Sequence, residues 1–165
     1  MNIKKIVFCF SLLLAGTSSY AQNDSIAVAQ MKDLGIYYFE GKTLKQILPL
    51  IPEKIKVLSS SIYLGENSEN TVDDTPVFYV FIPSEYKNTI LARQFRLVAL
   101  TSGKGKRKVK ARNDDNYMIM KSEKLSNESY KLYLDDPLKE GHYGIFYNYG
   151  SRKPIKLYDF DVVAK

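Results

Sequence analysis

Apolar residues along this chain gather in short runs set apart by polar, turn-forming clusters at a spacing near ten residues. That rhythm predicts β-strands joined by tight connections rather than long helices. Residues 36–39 (IYYF) and 43–47 (TLKQI) flank Glu40-Gly41-Lys42 and read as a hairpin. Pro49 and Pro52 then interrupt the ladder. Residues 55–64 have strand composition, and 66–75 (ENSENTVDDT) read as a loop. Residues 77–82 (VFYVFI), held between Pro76 and Pro83, form an unbroken apolar run, which predicts a central strand buried on both faces. Residues 94–101 alternate Phe95, Leu97 and Ala99 against Arg96 and Val98, turn at Ser102-Gly103-Lys104-Gly105 and return through 106–112. Further strands are predicted at 117–120, 129–134, 142–149 and 156–163. One helical turn is predicted at 84–91, with Ser84 as cap and Tyr86, Ile90 and Leu91 turned inward. Residues 35–165 are therefore expected to form one all-β domain, a sandwich or a barrel.

Upstream, residues 1–21 have the three parts of a secretory signal peptide. Lys4 and Lys5 supply the positive start. Residues 6–15 (IVFCFSLLLA) supply an apolar run short for a membrane span, and Ser19 and Ala21 supply small residues before the expected cleavage. The chain is expected to be exported, to the periplasm or beyond, with Gln22 first in the working molecule. Gln22 stands where a lipoprotein would carry cysteine, so a lipid anchor is not expected. Residues 22–34 read as an arm or a short helix capped by Ser25. The single cysteine, Cys9, falls in the signal, so the rest of the sequence offers neither a disulfide nor a thiolate metal site. Stability must come from an apolar core, which a chain of this length can bury. Losing Lys4 and Lys5 and no acid takes the net charge from +6 to +4. That mild excess aids solubility without naming an anionic partner. No second apolar stretch is long enough to cross a membrane.

One local pattern narrows the architecture. Residues 138–143 (LKEGHY) fit a tyrosine corner, in which Tyr143 bonds back to the backbone just upstream. Leu138 would fill the core at that corner and Gly141 would permit the bend. An immunoglobulin-like antiparallel β-sandwich is the resulting expectation. The corner, extended to Gly144, stands with four further groups: Gly35 to Tyr38; Phe95, Leu97 and Leu100; Gly105, Lys106, Arg107 and Val109; and Tyr158, Asp159, Phe160 and Val162. Together they resemble small exported β-sandwich proteins of unknown function from Gram-negative bacteria. The resemblance implies fold and export, and no chemistry.

Candidate chemistry begins with Lys104, Lys106, Lys108, Lys110 and Arg112, which recur at every second residue. On a strand they share one face, roughly 7 Å apart, with Arg107, Val109 and Ala111 on the other. Such a row suits a polyanion, an acidic glycan or lipopolysaccharide phosphate. It is equally the way a solvated edge strand resists pairing with another edge. No aromatic residue interleaves with the lysines, which argues against a base-stacking nucleic-acid interface. Tyr147 and Tyr149 with Arg152 make a second candidate surface, for another envelope protein; against it, Tyr is a common half-buried strand residue. The acidic pairs at 73–74, 114–115 and 135–136 lie in turns and lack calcium-loop spacing, so no metal or cofactor is predicted. The one histidine, His142, lies inside the corner, and neither Gly-x-Ser-x-Gly nor a metal-spaced His pair is present. Nothing in the sequence places two of Glu123, Glu128 and Glu140 in one cleft. The expected function is a non-catalytic binding or envelope-accessory module. Polyanion binding through 104–112 is the alternative, and a small secreted hydrolase the last one.

Overall fold

Strand pairing sorts the chain into two sheets, both visible in a computed structural model that describes residues 21–50, 55–56, 61–64, 67–103, 106–110, 117–147 and 156–163. Most of the expected signal peptide, residues 1–20, lies outside the described residues. A helix, α1, occupies 21–30. The strands are β1 (Gly35–Glu40), β2 (Thr43–Ile47), β3 (Ile55–Lys56), β4 (Ser61–Leu64), β5 (Thr71–Val72), β6 (Phe78–Phe81) and β7 (Phe95–Gly103). They continue with β8 (Lys106–Lys110), β9 (Tyr117–Met118), β10 (Lys121–Lys124), β11 (Ser129–Tyr133), β12 (Gly141–Tyr147) and β13 (Lys156–Val162). Short 3-10 turns at Ser84–Tyr86 and Ala92–Gln94 join β6 to β7.

The smaller sheet runs β10-β11-β6-β1-β2, every neighbour antiparallel. The larger runs β3-β4-β8-β7-β12-β13-β5, with β9 also on β7 and only β5 parallel to its neighbour. The sheets face each other across one core. Ile36, Tyr38, Phe78, Val80 and Leu132 of the smaller sheet meet Phe95, Leu97, Tyr143, Ile145 and Phe160 of the larger. Phe160 is central, 4.9 Å from Phe78 and stacked on Tyr143 at 5.8 Å between ring centroids. Each fully buried side chain of this size contributes about 1.5–3 kcal/mol.

Both outer faces are also covered, which explains the unbroken apolar run at 77–82. Phe78 and Val80 point into the main core, while Tyr79 and Phe81 point outward into a second cluster with Tyr37, Phe39 and residues Ala27 and Met31 at the end of α1. On the other side, β7 changes partner part-way along. Residues 95–100 pair with β12, but 101–103 pair with β8. The β8–β4 pair thereby lies back over the larger sheet, where Leu64 packs on Val98, Leu100, Phe146 and Leu157. Gly144 belongs to this layer because a Cβ there would overlap the Leu157 side chain.

Several expectations change. The turn at 84–91 is 3-10, and its N-terminus is bound by Glu128 rather than by the Ser84 hydroxyl. Only Ile90 of the three expected inward residues is buried; Tyr86 and Leu91 are exposed. The strand expected at 117–120 shortens to β9, and a separate all-polar strand, β10, follows it. Of the two alternatives for the segment preceding β1 the helix is found, but Ser25 lies inside it, its hydroxyl donating to the Ala21 carbonyl at 3.1 Å, rather than at its cap.

Candidate functional site

β8 carries the lysine row, and its setting differs from the edge position first considered. It lies between β4 and β7, with Lys108 opposite Tyr63 on one side and Thr101 on the other. Arg107 and Lys108 pair on both sides, Lys106 with β7 alone and Val109 and Lys110 with β4 alone, and Thr101 Oγ1 adds a bond to the Lys108 carbonyl at 3.1 Å. At Lys108, at least, a lysine is not needed to guard a free edge. Lys106, Lys108 and Lys110 hold alternate positions along the strand, out of phase with Arg107. Lys108 is half-buried. Lys104 and Arg112 lie outside the described residues.

The intervening Arg107 is the most buried charged residue among the described residues. It is 2 % exposed. Its Nη1 lies 2.5 Å from Asp159 Oδ2 and 3.7 Å from Asp161 Oδ1, and its Nη2 donates to the Asn67 carbonyl at 2.8 Å. Asp159 and Asp161 alternate on β13, so both share the outward face. The 67–70 loop closes the cluster. The Ser68 N–H donates to Asp161 Oδ2 at 3.1 Å, and the Ser68 hydroxyl and Asn70 amide both donate to the Asp159 carbonyl. His142 Nδ1 sits 2.6 Å from Asp161 Oδ1. The dismissal of His142 as a corner residue thus missed a partner: its strand neighbour across β12 and β13 is Asp161 itself. The strand parity of Arg107 was readable in the sequence. The partners, from β13 and a loop, were not.

This cluster joins β8, β12, β13 and the loop into one unit. A buried guanidinium loses its hydration and must recover it from carboxylates and carbonyls nearby, and here all are supplied by the chain. Its chemical role is to hold strands.

The aromatic candidate needs correction. Tyr147 is 2 % exposed, packs tilted against Phe95 with ring centroids 5.0 Å apart and donates its hydroxyl to the Thr89 carbonyl at 2.6 Å. A ring packed inside the sandwich offers no surface to a partner. Tyr149 and Arg152 lie outside the described residues. At 138–143, Tyr143 donates its hydroxyl to the Lys139 carbonyl at 2.9 Å, Leu138 is buried, and Gly141 has φ +154°, a value side chains resist. Burial raises the Tyr143 hydroxyl above its ordinary pKa.

Of the acids considered for catalysis, Glu128 accepts from the N–H and hydroxyl of Ser84, which lowers its carboxyl below the usual range. Asp135 pairs with Lys121 at 2.7 Å. Among the described residues no group of three metal-ligating side chains converges, and no helix is long and apolar enough to cross a membrane. No protein-family model, curated protein or solved structure matches this chain.

Proposed function

We propose that the chain is an exported, non-catalytic binding module of immunoglobulin-like architecture that engages an acidic component of the cell envelope through the lysines of β8. The burial of Arg107 against Asp159 carries this reading. It ties β8 to β13, and the alternate positions Lys106, Lys108 and Lys110 are borne by a strand that pairs with β7 over 106–108 and with β4 over 107–110. A cationic row on a paired strand needs little backbone ordering when a polyanion docks, which favours a binding surface. Export rests on residues 1–21 and the architecture on the two-sheet core with the Tyr143 bond.

The test is binding of the purified protein to lipopolysaccharide vesicles and to a sulfated glycan across a salt series. Affinity should fall linearly on logarithmic axes, in proportion to the cations engaged. Charge reversal at Lys106, Lys108 and Lys110 together should abolish it. Retention of one envelope protein, unchanged by salt and by that reversal, would replace the acidic ligand with a protein partner.

A further inference from the structure

Strand register shows what the neighbours of β8 add to its lysines. Lys108 stands opposite Tyr63 of β4 and Thr101 of β7. Lys110 stands opposite Ser61 of β4, and Ser61 opposite Lys56 of β3. Residues directly opposite each other in a sheet share a face. Lys56, Ser61, Tyr63, Thr101, Lys108 and Lys110 therefore occupy one face of the β3-β4-β8-β7 layer. The intervening positions, Ile55, Ile62, Leu64, Arg107 and Val109, occupy the other. Leu64 and Arg107 are buried, which assigns that second face to the interior. Thr101, at the margin of the first face, is exposed. The inner positions are aliphatic apart from Arg107; the outer ones are cationic, hydroxylic and, at Tyr63, aromatic.

Two properties of the outer face come from pairing and not from β8 by itself. The cations spread in two directions. Neighbouring strands lie about 4.8 Å apart, so Lys56 stands about 10 Å from Lys110 across the strands, while Lys106 stands about 14 Å from it along β8. An aromatic residue also enters. None interleaves with the lysines along the chain, but β4 sets Tyr63 opposite Lys108, and residues so opposed are about 5 Å apart. Ser61 is the next position on that face along β4, and Thr101 flanks Lys108 from β7. No Asp or Glu occurs in the paired stretches 55–56, 61–64, 101–103 and 106–110.

This combination selects among anions. A bare polyphosphate uses cations alone. A single strand of nucleic acid needs successive aromatic platforms for its bases. One aromatic residue set among lysines and hydroxyl-bearing residues suits a sugar. A pyranose has an apolar C–H face that lies on an aromatic ring, hydroxyls that bond to side-chain hydroxyls, and acid substituents that lysines attract. Building on the polyanion reading of β8, we propose that this face binds an acidic saccharide, a pyranose bearing sulfate, phosphate or carboxylate. Tyr63 is the platform for the sugar, and Lys56, Lys108 and Lys110 are its cations.

The experiment is calorimetric titration of the purified protein with a heparin hexasaccharide, a diphosphorylated glucosamine disaccharide, inorganic polyphosphate and oligothymidylate. Tyr63→Leu removes the ring and should weaken the sugars about tenfold while leaving polyphosphate unchanged. Tyr63→Phe should keep both. Lys56→Gln should lower the salt slope for the sugars by about one. A fold defect in Tyr63→Leu would show in its urea midpoint; the unsubstituted protein then decides, because the Tyr63 ring resonances should move with the sugars and not with polyphosphate. Tighter binding of the hexasaccharide would assign the face to a free glycan, and tighter binding of the disaccharide to a lipid headgroup; both uphold the saccharide. No binding of either sugar overturns it, as does equal weakening of sugars and polyphosphate by Tyr63→Leu in a folded protein. Oligothymidylate binding tighter than both sugars would assign the face to nucleic acid instead. If charge reversal at Lys106, Lys108 and Lys110 leaves every probe bound, the reading of β8 itself fails. If that reversal abolishes binding while Tyr63→Leu changes nothing, the saccharide alone fails.

Discussion

Arg107 sits where a strand of alternating lysines would ordinarily place an apolar residue. Its neighbours in sequence reveal the alternation, because Lys106, Lys108 and Lys110 fix the parity. They say nothing of Asp159 and Asp161, which come from another strand. Removing the guanidinium leaves the buried Asp159 carboxylate without its cation, so Arg107→Ala should cost roughly 3–5 kcal/mol, read from urea unfolding. Arg107→Met combined with Asp159→Leu should recover much of that, since an apolar pair needs no hydration. Equal losses for the single and double variants would show that the ion pair is not what holds β8. At the corner the sequence was more informative. Leu138, Gly141 and Tyr143 announced a bond whose acceptor, the Lys139 carbonyl, lies only four residues away. Tyr143→Phe should cost about 1 kcal/mol in the same assay. Tyr147 shows the opposite case, because burial and exposure look alike in a strand whose two faces are both covered.

Elements were legible in proportion to their apolar content. The run at 77–82 announced β6 because each of its faces meets a cluster, one beneath α1 and one in the main core. β10, with the sequence KSEK and every residue exposed, carried no hydrophobic signal; only pairing with β11 makes it a strand. The α1 segment was ambiguous because its buried residues amount to Ala27 and Met31. Tertiary bonds, not propensity, hold it. Asp24→Ala removes its links to Tyr79 and Lys131 together, and should raise amide hydrogen exchange across 21–30 while β6 and β12 stay protected. Unchanged exchange there would place the anchoring in Ala27 and Met31 alone. The layer under β4 and β8 should be less forgiving. Gly144→Val drives a side chain into Leu157, and should cost at least about 1–3 kcal/mol by urea unfolding.

For the whole molecule, the buried tyrosines set the alkaline limit. Burial raises the hydroxyls of Tyr37, Tyr38, Tyr79 and Tyr143 above 10.0. For Tyr79 the Asp24 carboxylate adds to the rise. The unfolded chain ionises first, so this stability is fully present below pH 10.0 and is lost as pH climbs through the folded values. Urea midpoints should be flat from about pH 7 to 9 and drop steeply above 10. Tyr79→Phe should flatten that drop. Glu128 works in the other direction: its lowered carboxyl adds stability above the ordinary glutamate value that fades as pH falls through the lowered one. Glu128→Gln should remove that part of the acid slope. A midpoint insensitive to alkali would mean the tyrosines remain solvated.

The fastening of α1 has a consequence in time. Asp24 bonds to Tyr79 across 55 residues and to Lys131 across 107. A chain emerging N-terminus first delivers this segment before any part of the sheet that receives it. Until β11 arrives, residues 21–30 have no surface to rest on, and closing so long a loop is slow. A segment that precedes every strand is therefore among the last to be secured. Its docking through Asp24 waits until both β6 and β11 are in place.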